Sequence, residues 1–289
     1  MQNPHNTYFA VTTPGLSATR WISFALASNQ DAFVTHGKHP LHSIQNGSLV
    51  REQQMGDEES ITDGNKMKKF LVIGKPINHS LSPQLHNYWI KQNNINAVYD
   101  KQELDSDDLK NLILKIKNKE ISGANVTVPF KKEIISYLDK LSPEAEGTQS
   151  VNTISLDDNM ITGHNTDISG FELAIKDAKY DVGGKKILIL GAGGVVPSII
   201  FALNKMNASK ITLCNRTKSK AENLKNLFND LNIMEWGQLP NFNMIINATS
   251  IGLNNNDLIN LDFSKIEKGK FFYDVIYNPK ETNFLKTGK

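Results

Sequence analysis

The sequence is short of several things. It has a single cysteine, Cys214, among 289 residues. That excludes a disulfide framework or a thiolate metal cluster and makes a reducing, cytoplasmic setting the default. No apolar run approaches the roughly 20 residues that a membrane-crossing helix needs. The stretch Met1 to Thr13 has no basic segment leading into an apolar one, so a secretory signal is not expected. Net charge is nearly absent as well, at +2, which argues against a dedicated nucleic-acid binder. No histidine pair has metal-ligand spacing, and no repeat has a solenoid period.

What is present begins near residue 67. Residues 1–66 are read as an appended segment. Ala18 to Ser28 offers one short amphipathic helix, and Gln45 to Lys66 is polar, glycine-bearing linker. From Lys68 onward, apolar strands alternate with helices. The strands are Phe70 to Ile73, Ala97 to Leu104, Gly123 to Val128, Lys186 to Leu190, Lys210 to Cys214, Met244 to Asn247 and Phe271 to Val275. Helices follow Ser82-Pro83, Ser106, Ser142-Pro143, Asp167, Gly194 and Lys218. This alternation predicts α/β architecture with parallel, doubly wound sheets.

The strongest local signal is Ile187-Leu-Ile-Leu-Gly191-Ala-Gly193-Gly194, an apolar strand running into a glycine turn and then a helix. Such a turn lets the backbone approach a pyrophosphate, which the helix N-terminus then attracts. The next strand ends in Cys214-Asn215-Arg216-Thr217. An acid at that place would read the ribose 2′-hydroxyl of NAD. Here a guanidinium stands instead, flanked by polar Asn215 and Thr217, so NADP is the expected cofactor.

Three earlier segments are dense in polar groups. In Pro76-Ile-Asn-His-Ser80-Leu-Ser82-Pro83, two hydroxyls can hold one carboxylate, and Ser82 can also cap the helix. In Asn125-Val-Thr127-Val-Pro-Phe-Lys131, Asn125 and Thr127 share a strand face and Lys131 follows, a proton donor or acceptor if held near a carboxylate. The third comprises Val151-Asn152-Thr153 and Asn165-Thr166-Asp167, with Asp167 a candidate N-cap. His79, His86 and His164 are read as ordinary exposed histidines.

Taken together, these segments resemble the shikimate dehydrogenase family, joined in family order by Asn247-Ala-Thr249-Ser250-Ile-Gly252 and Tyr273-Asp-Val-Ile-Tyr277-Asn-Pro279. The resemblance implies two α/β domains with the active site in the cleft between them. Residues 67–167 would form the substrate domain and 168–277 a Rossmann-type NADP domain, with 278–289 beginning the return to the first domain. It implies reversible NADP-dependent reduction of 3-dehydroshikimate to shikimate, in aromatic amino acid biosynthesis, by a monomer or homodimer without membrane or nucleic-acid partners and without a metal. Lys131 and Asp167 would be the catalytic pair. Ser80, Ser82, Thr127, Asn152, Asp167 and Tyr277 would bind substrate. Gly191, Gly193, Gly194, Asn215, Arg216, Thr217, Thr249 and Val275 would bind cofactor. Family chains start near the position of Met67 and continue past that of Lys289 into a helix bearing a substrate-contacting Gln. Two alternatives follow: a truncated, inactive NADP- and shikimate-binding fragment, or a quinate-using relative.

Overall fold

A computed structural model describes residues 8–10 and 66–289, apart from 79, 255, 278, 280 and 289. The helix expected at Ala18 to Ser28 lies outside the described residues.

Two six-stranded sheets form the frame. The first is built from β2 (Lys68–Gly74), β3 (Ala97–Glu103), β4 (Gly123–Val126), β5 (Lys140–Leu141), β6 (Thr153–Asp157) and β7 (Met160–His164), in the order β3-β2-β4-β6-β7-β5. It is not purely parallel, as the alternation of strands and helices predicts. β6 runs antiparallel to both β4 and β7. The β6–β7 hairpin escapes a reading by apolar runs because its buried face is half polar: Thr153, Ser155 and Thr162 are all buried. One face of this sheet packs on α1 (Ser82–Gln92), around Phe70, Val72, Ile90 and Tyr99. The other packs on α2 (Leu109–Lys117), which a 3-10 turn at Ser106–Asp108 precedes, and on α3 (Pro143–Thr148). Leu109, Leu112, Ile113 and Ile116 recur at helical spacing and all are buried.

The second sheet is all-parallel. Its strands are β1 (Tyr8–Ala10), β8 (Lys186–Leu190), β9 (Lys210–Cys214), β10 (Asn232–Met234), β11 (Met244–Asn247) and β12 (Phe271–Asp274), in the order β1-β12-β11-β8-β9-β10. One strand of the front segment, read from sequence as an unassigned appendage, therefore belongs to this sheet. The helices α4 (Asp167–Asp177), α5 (Val196–Lys205) and α6 (Lys218–Leu227) cover one face. A short α7 (Asn283–Thr287) puts Phe284 and Leu285 on the other face, beside Leu188, Leu190 and Phe272. The sequence reading has the chain turning back toward the first sheet here.

Local details also differ. Ser142 caps α3 as expected, its hydroxyl accepting from Ala145 N. Ser82 does not cap α1. It is the first helical residue, and its own N–H is taken by Ser80 Oγ at 3.3 Å. Likewise Asp167 opens α4 rather than capping it. Strand β4 stops at Val126, two residues early, where the chain turns toward Pro129. Helix α5 starts two residues after Gly194. On α1 the buried residues are His86 and Ile90, while Tyr88 is exposed. His86 is thus a core residue, stacked on Tyr99 with ring centroids 4.1 Å apart.

Candidate active site

The two sheets meet where the first unit's loops face the glycine turn of the second. Thr127 N extends the β2–β4 ladder by donating to Ile73 O, and Lys75 N donates to Val128 O. Thr127 Oγ1 also donates to Ile73 O, at 2.8 Å. These bonds set the course of the segment that carries Lys131. Lys131 O in turn accepts from Val151 N, and Asn152 N donates to His164 O. The Lys131, Asn152 and Asp167 segments are thereby locked side by side.

Their side chains converge. Lys131 Nζ donates to Asp167 Oδ2 at 2.7 Å. Asn152 Nδ2 donates to Asp167 Oδ1 at 2.8 Å and to Thr166 Oγ1 at 3.0 Å. The ion pair is largely shielded, with side-chain exposures of 16% and 11%. Asp167 also lies at the N-terminus of α4, where the helix dipole favours a carboxylate. The ammonium is held on one carboxylate oxygen while the amide occupies the other, so neither partner swings freely.

The remaining substrate candidates lie on other segments. Ser80 and Ser82 are half-buried in the loop after β2 and the first turn of α1. Ser82 Oγ has no partner among the described residues. Tyr277, just past β12, is 38% exposed. Asn125, two residues before Thr127, turns inward and accepts from Tyr99 Oη.

The second unit brings a glycine turn to the same place. Gly191 has φ +103°, and a Cβ there would meet Ala248 O at 2.7 Å, so only glycine fits. A Cβ on Gly193 would meet only Ala248 O at 3.7 Å, and one on Gly194 would meet Val128 Cγ1 at 3.5 Å and Lys131 Cδ at 3.9 Å. Gly193 and Gly194 thus leave an open cradle directly beside Lys131. Among the described residues, the backbone N–H groups of Gly193 and Gly194 have no acceptor. No acidic residue stands in the first turn of α5. Unspent N–H donors at a helix start fit a pyrophosphate. At the end of β9, Asn215 Nδ2 donates to Thr217 O at 2.7 Å, pinning the loop that holds exposed Arg216. A guanidinium with no acid beside it in sequence fits a 2′-phosphate.

The third wall comes from the ends of β11 and β12. Thr249 is held through its N–H and hydroxyl on Asn247 Oδ1, at 3.1 and 2.7 Å. Val275 N donates to Asn247 O. Behind them, fully buried Asp274 accepts from Asn247, Thr282 and Ile276. Burial pushes its carboxyl above the usual range, and the hydrogen bonds oppose this. Asn247 and Asp274 had no assigned role. A polar residue at the end of each of two apolar parallel strands, paired in register, was the available signal.

Cys214 is buried, which pushes its thiol up to about 11 and leaves it unreactive at neutral pH. Among the described residues, no group of three or more His, Cys, Asp or Glu is placed to hold a metal, and no helix is long and apolar enough to cross a membrane.

Comparison with known proteins agrees with this geometry. Residues 72–154 match the shikimate dehydrogenase substrate binding domain, and residues 172–269 match shikimate / quinate 5-dehydrogenase. The shikimate dehydrogenase (NADP(+)) of Pelagibacter ubique is 59% identical over 222 residues, covering 77% of this chain and 84% of that one. The chain belongs to the shikimate dehydrogenase family. The shikimate dehydrogenase of Aquifex aeolicus superposes with a TM-score of 0.70 at 38% identity, over 77% of this chain and 83% of that one. The Thermus thermophilus shikimate 5-dehydrogenase, solved with NADP(H) and shikimate, gives a TM-score of 0.69 at 28% identity, over 76% and 83%. The family is one of oxidoreductases, with a substrate-binding unit ahead of a Rossmann-type unit. The alternatives of an inactive binding fragment or a quinate-using relative are not favoured, since the curated relatives are shikimate dehydrogenases (NADP(+)).

Proposed function

We propose that this chain is an NADP-dependent shikimate dehydrogenase, reversibly reducing 3-dehydroshikimate to shikimate, with Lys131 and Asp167 as its catalytic pair. The observation that carries the assignment of residues is the Lys131–Asp167 ion pair beside the open cradle at Gly193 and Gly194. The substrate unit is taken as 67–167 and the NADP unit as 168–277.

NADPH, when bound, supplies the hydride that the carbonyl carbon accepts. As that bond forms, negative charge grows on the carbonyl oxygen. Lys131 is the cation placed to stabilise it and to deliver the proton that completes the hydroxyl. In the reverse direction the same nitrogen takes the proton back. Asp167 keeps the ammonium oriented, and Asn152 keeps Asp167 oriented through its second oxygen. The hydroxyls of Ser80 and Ser82 are assigned to the substrate carboxylate, with the unpartnered Ser82 Oγ as one donor. Thr127, Asn152, Asp167 and Tyr277 are assigned to the substrate's other polar groups. In this arrangement Asn152 and Thr127 already spend their hydrogen bonds on Asp167, Thr166 and Ile73, so substrate must share or replace them.

For the cofactor, the cradle at Gly191, Gly193 and Gly194 is assigned to the pyrophosphate. Asn215, Arg216 and Thr217 are assigned to the 2′-phosphate side, and Thr249 and Val275 to the nicotinamide side. The lone, buried cysteine is in keeping with a cytoplasmic setting. The test is reduction of NADP+ by shikimate, with quinate and NAD+ as parallel controls. Turnover that is fastest with shikimate and NADP+ supports the reading. Turnover faster with quinate or NAD+ refutes the corresponding part.

A further inference from the structure

A buried polar cluster joins the two units behind the ion pair. Asn165, in the loop between β7 and α4, is 5% exposed, Thr148 at the end of α3 is 1%, and Ser198 on α5 is fully buried. Asn165 Nδ2 donates to Thr148 Oγ1 and to Ser198 Oγ, each at 2.9 Å. Ser198 Oγ donates back to Asn165 Oδ1 at 3.2 Å. The same Oδ1 accepts the backbone N–H of Asp167 at 3.1 Å.

The chain of contacts is short and specific. Ser198 is the third residue of α5, in the first turn that follows the Gly193-Gly194 cradle. Asn165 stands two residues before Asp167 and fixes the backbone at that position. Thus one side chain, Asn165, meets Ser198 of the cofactor helix through both its nitrogen and its oxygen, and the same oxygen holds the catalytic aspartate's backbone. Packing alone does not require this. The interface between α3 and α5 is otherwise closed by apolar contact, with Phe201 so close to Gly147 that a Cβ there would meet its ring at 2.6 Å. A buried amide costs desolvation that apolar groups of the same size would not, and a satisfied polar cluster returns a single fixed geometry.

We propose that Asn165 and Ser198 are positioning residues, which set Asp167, and through it the Lys131 ammonium, against the cofactor-binding helix. The proposal rests on the reading of Lys131 and Asp167 as the catalytic pair. In it, α5 and the ion pair move as one body, so the proton donor keeps its place relative to a cofactor seated at the start of α5. Loss of the Ser198 hydroxyl uncouples them without touching a group that meets substrate or cofactor.

The experiment compares Ser198→Ala and Ser198→Cys with the wild type in thermal unfolding, NADPH binding, kcat and KM for shikimate. Alanine suits a helix interior, and the thiol of cysteine is a weaker donor of similar size. The expected result for Ser198→Ala is NADPH affinity within about twofold, kcat down by about tenfold or more, and KM changed much less, as misplacement of a catalytic group produces. Ser198→Cys falls between it and the wild type. Wild-type kcat in folded Ser198→Ala overturns the proposal. So does wild-type kcat in Ser198→Cys beside an impaired Ser198→Ala, which would mean that filling the space rather than the hydrogen bond matters. If Ser198→Ala fails to fold, Ser198→Cys decides alone: reduced kcat with intact NADPH binding supports the proposal, and wild-type kcat overturns it. Lys131→Ala run alongside separates the two readings. Turnover that survives it refutes the catalytic assignment itself, whereas a dead Lys131→Ala beside an unaltered Ser198→Ala refutes only the coupling.

Discussion

Lys131 Nζ lies 2.7 Å from Asp167 Oδ2, although the residues are 36 positions apart in sequence. Asp167 opens α4, whose Ile168, Phe171, Ala174 and Ile175 are buried in the core of the second unit. The pair therefore straddles the junction between the units, with its lysine fixed by one and its aspartate at the head of a helix that belongs to the other. Removing either group leaves the other's charge poorly compensated in a shielded place. Lys131→Ala and Asp167→Asn are each expected to lower kcat by about a hundredfold or more, the usual worth of a positioned proton donor, while leaving NADPH affinity nearly intact. Steady-state kinetics beside cofactor titration checks this. Equal losses in kcat and NADPH affinity would contradict the assigned role.

The glycine turn separates folding from binding. At Gly191 a methyl group would meet Ala248 O at 2.7 Å in a left-handed backbone, so Gly191→Ala is expected to destabilise the fold by a few kcal/mol. At Gly193 the nearest atom would be 3.7 Å away, an ordinary contact. Gly193→Ala is therefore expected to fold normally and lose about tenfold or more in NADPH affinity, because the methyl enters the space assigned to the pyrophosphate. Denaturant unfolding and cofactor titration of both variants distinguish the two. Normal NADPH binding by Gly193→Ala would place the pyrophosphate elsewhere.

Arg216 is exposed at the end of β9 and makes no hydrogen bond or ion pair with its side chain among the described residues. Arg216→Ala is expected to weaken NADPH by about tenfold or more and NADH far less, since a charge-assisted pair with the 2′-phosphate is all that disappears. The ratio of the two dissociation constants is the readout. Parallel weakening of both would remove the basis for the preference.

His86 gives a pH prediction for stability. Among the described residues neither ring nitrogen has a hydrogen-bond partner, and burial lowers its pKa to about 3 from 6.5. Between those values the unfolded chain holds a proton that the folded one does not. Stability from this site is therefore complete above pH 6.5 and is lost as pH falls toward 3, by up to about 1.4 kcal/mol per unit. His86→Phe keeps a ring on Tyr99 and removes the titration. The gap between variant and wild type in urea unfolding should be flat above neutrality and move in the variant's favour in acid. A gap independent of pH would show that His86 does not resist protonation.

The parts of this fold that the sequence discloses are those with one-sided chemistry. The strands Ile187 to Leu190 and Met244 to Ile246 are continuous apolar runs because both faces are covered, and Gly191 breaks the first where a turn must pass under Ala248. The β6–β7 hairpin was not legible, because its buried face carries Thr153, Ser155 and Thr162 rather than apolar side chains, with the hydroxyls of Thr153 and Ser155 paired. His86 was misjudged because a neutral imidazole stacked on Tyr99 looks, in sequence, like any polar helix residue. At the site, the motif residues pointed to Lys131, Asn152 and Asp167 separately. Nothing local to Asn165 or Ser198 announced that they would meet, since their contact depends on how α5 docks against the β7–α4 loop.

The most direct test of the account is the appearance of reduced nicotinamide when the full chain meets shikimate and NADP+, measured for the wild type and Lys131→Ala side by side. The account predicts turnover in the wild type and its near-complete loss in a folded, NADPH-binding Lys131→Ala. Undiminished turnover in that variant, or none in a wild type that binds both ligands, would contradict it.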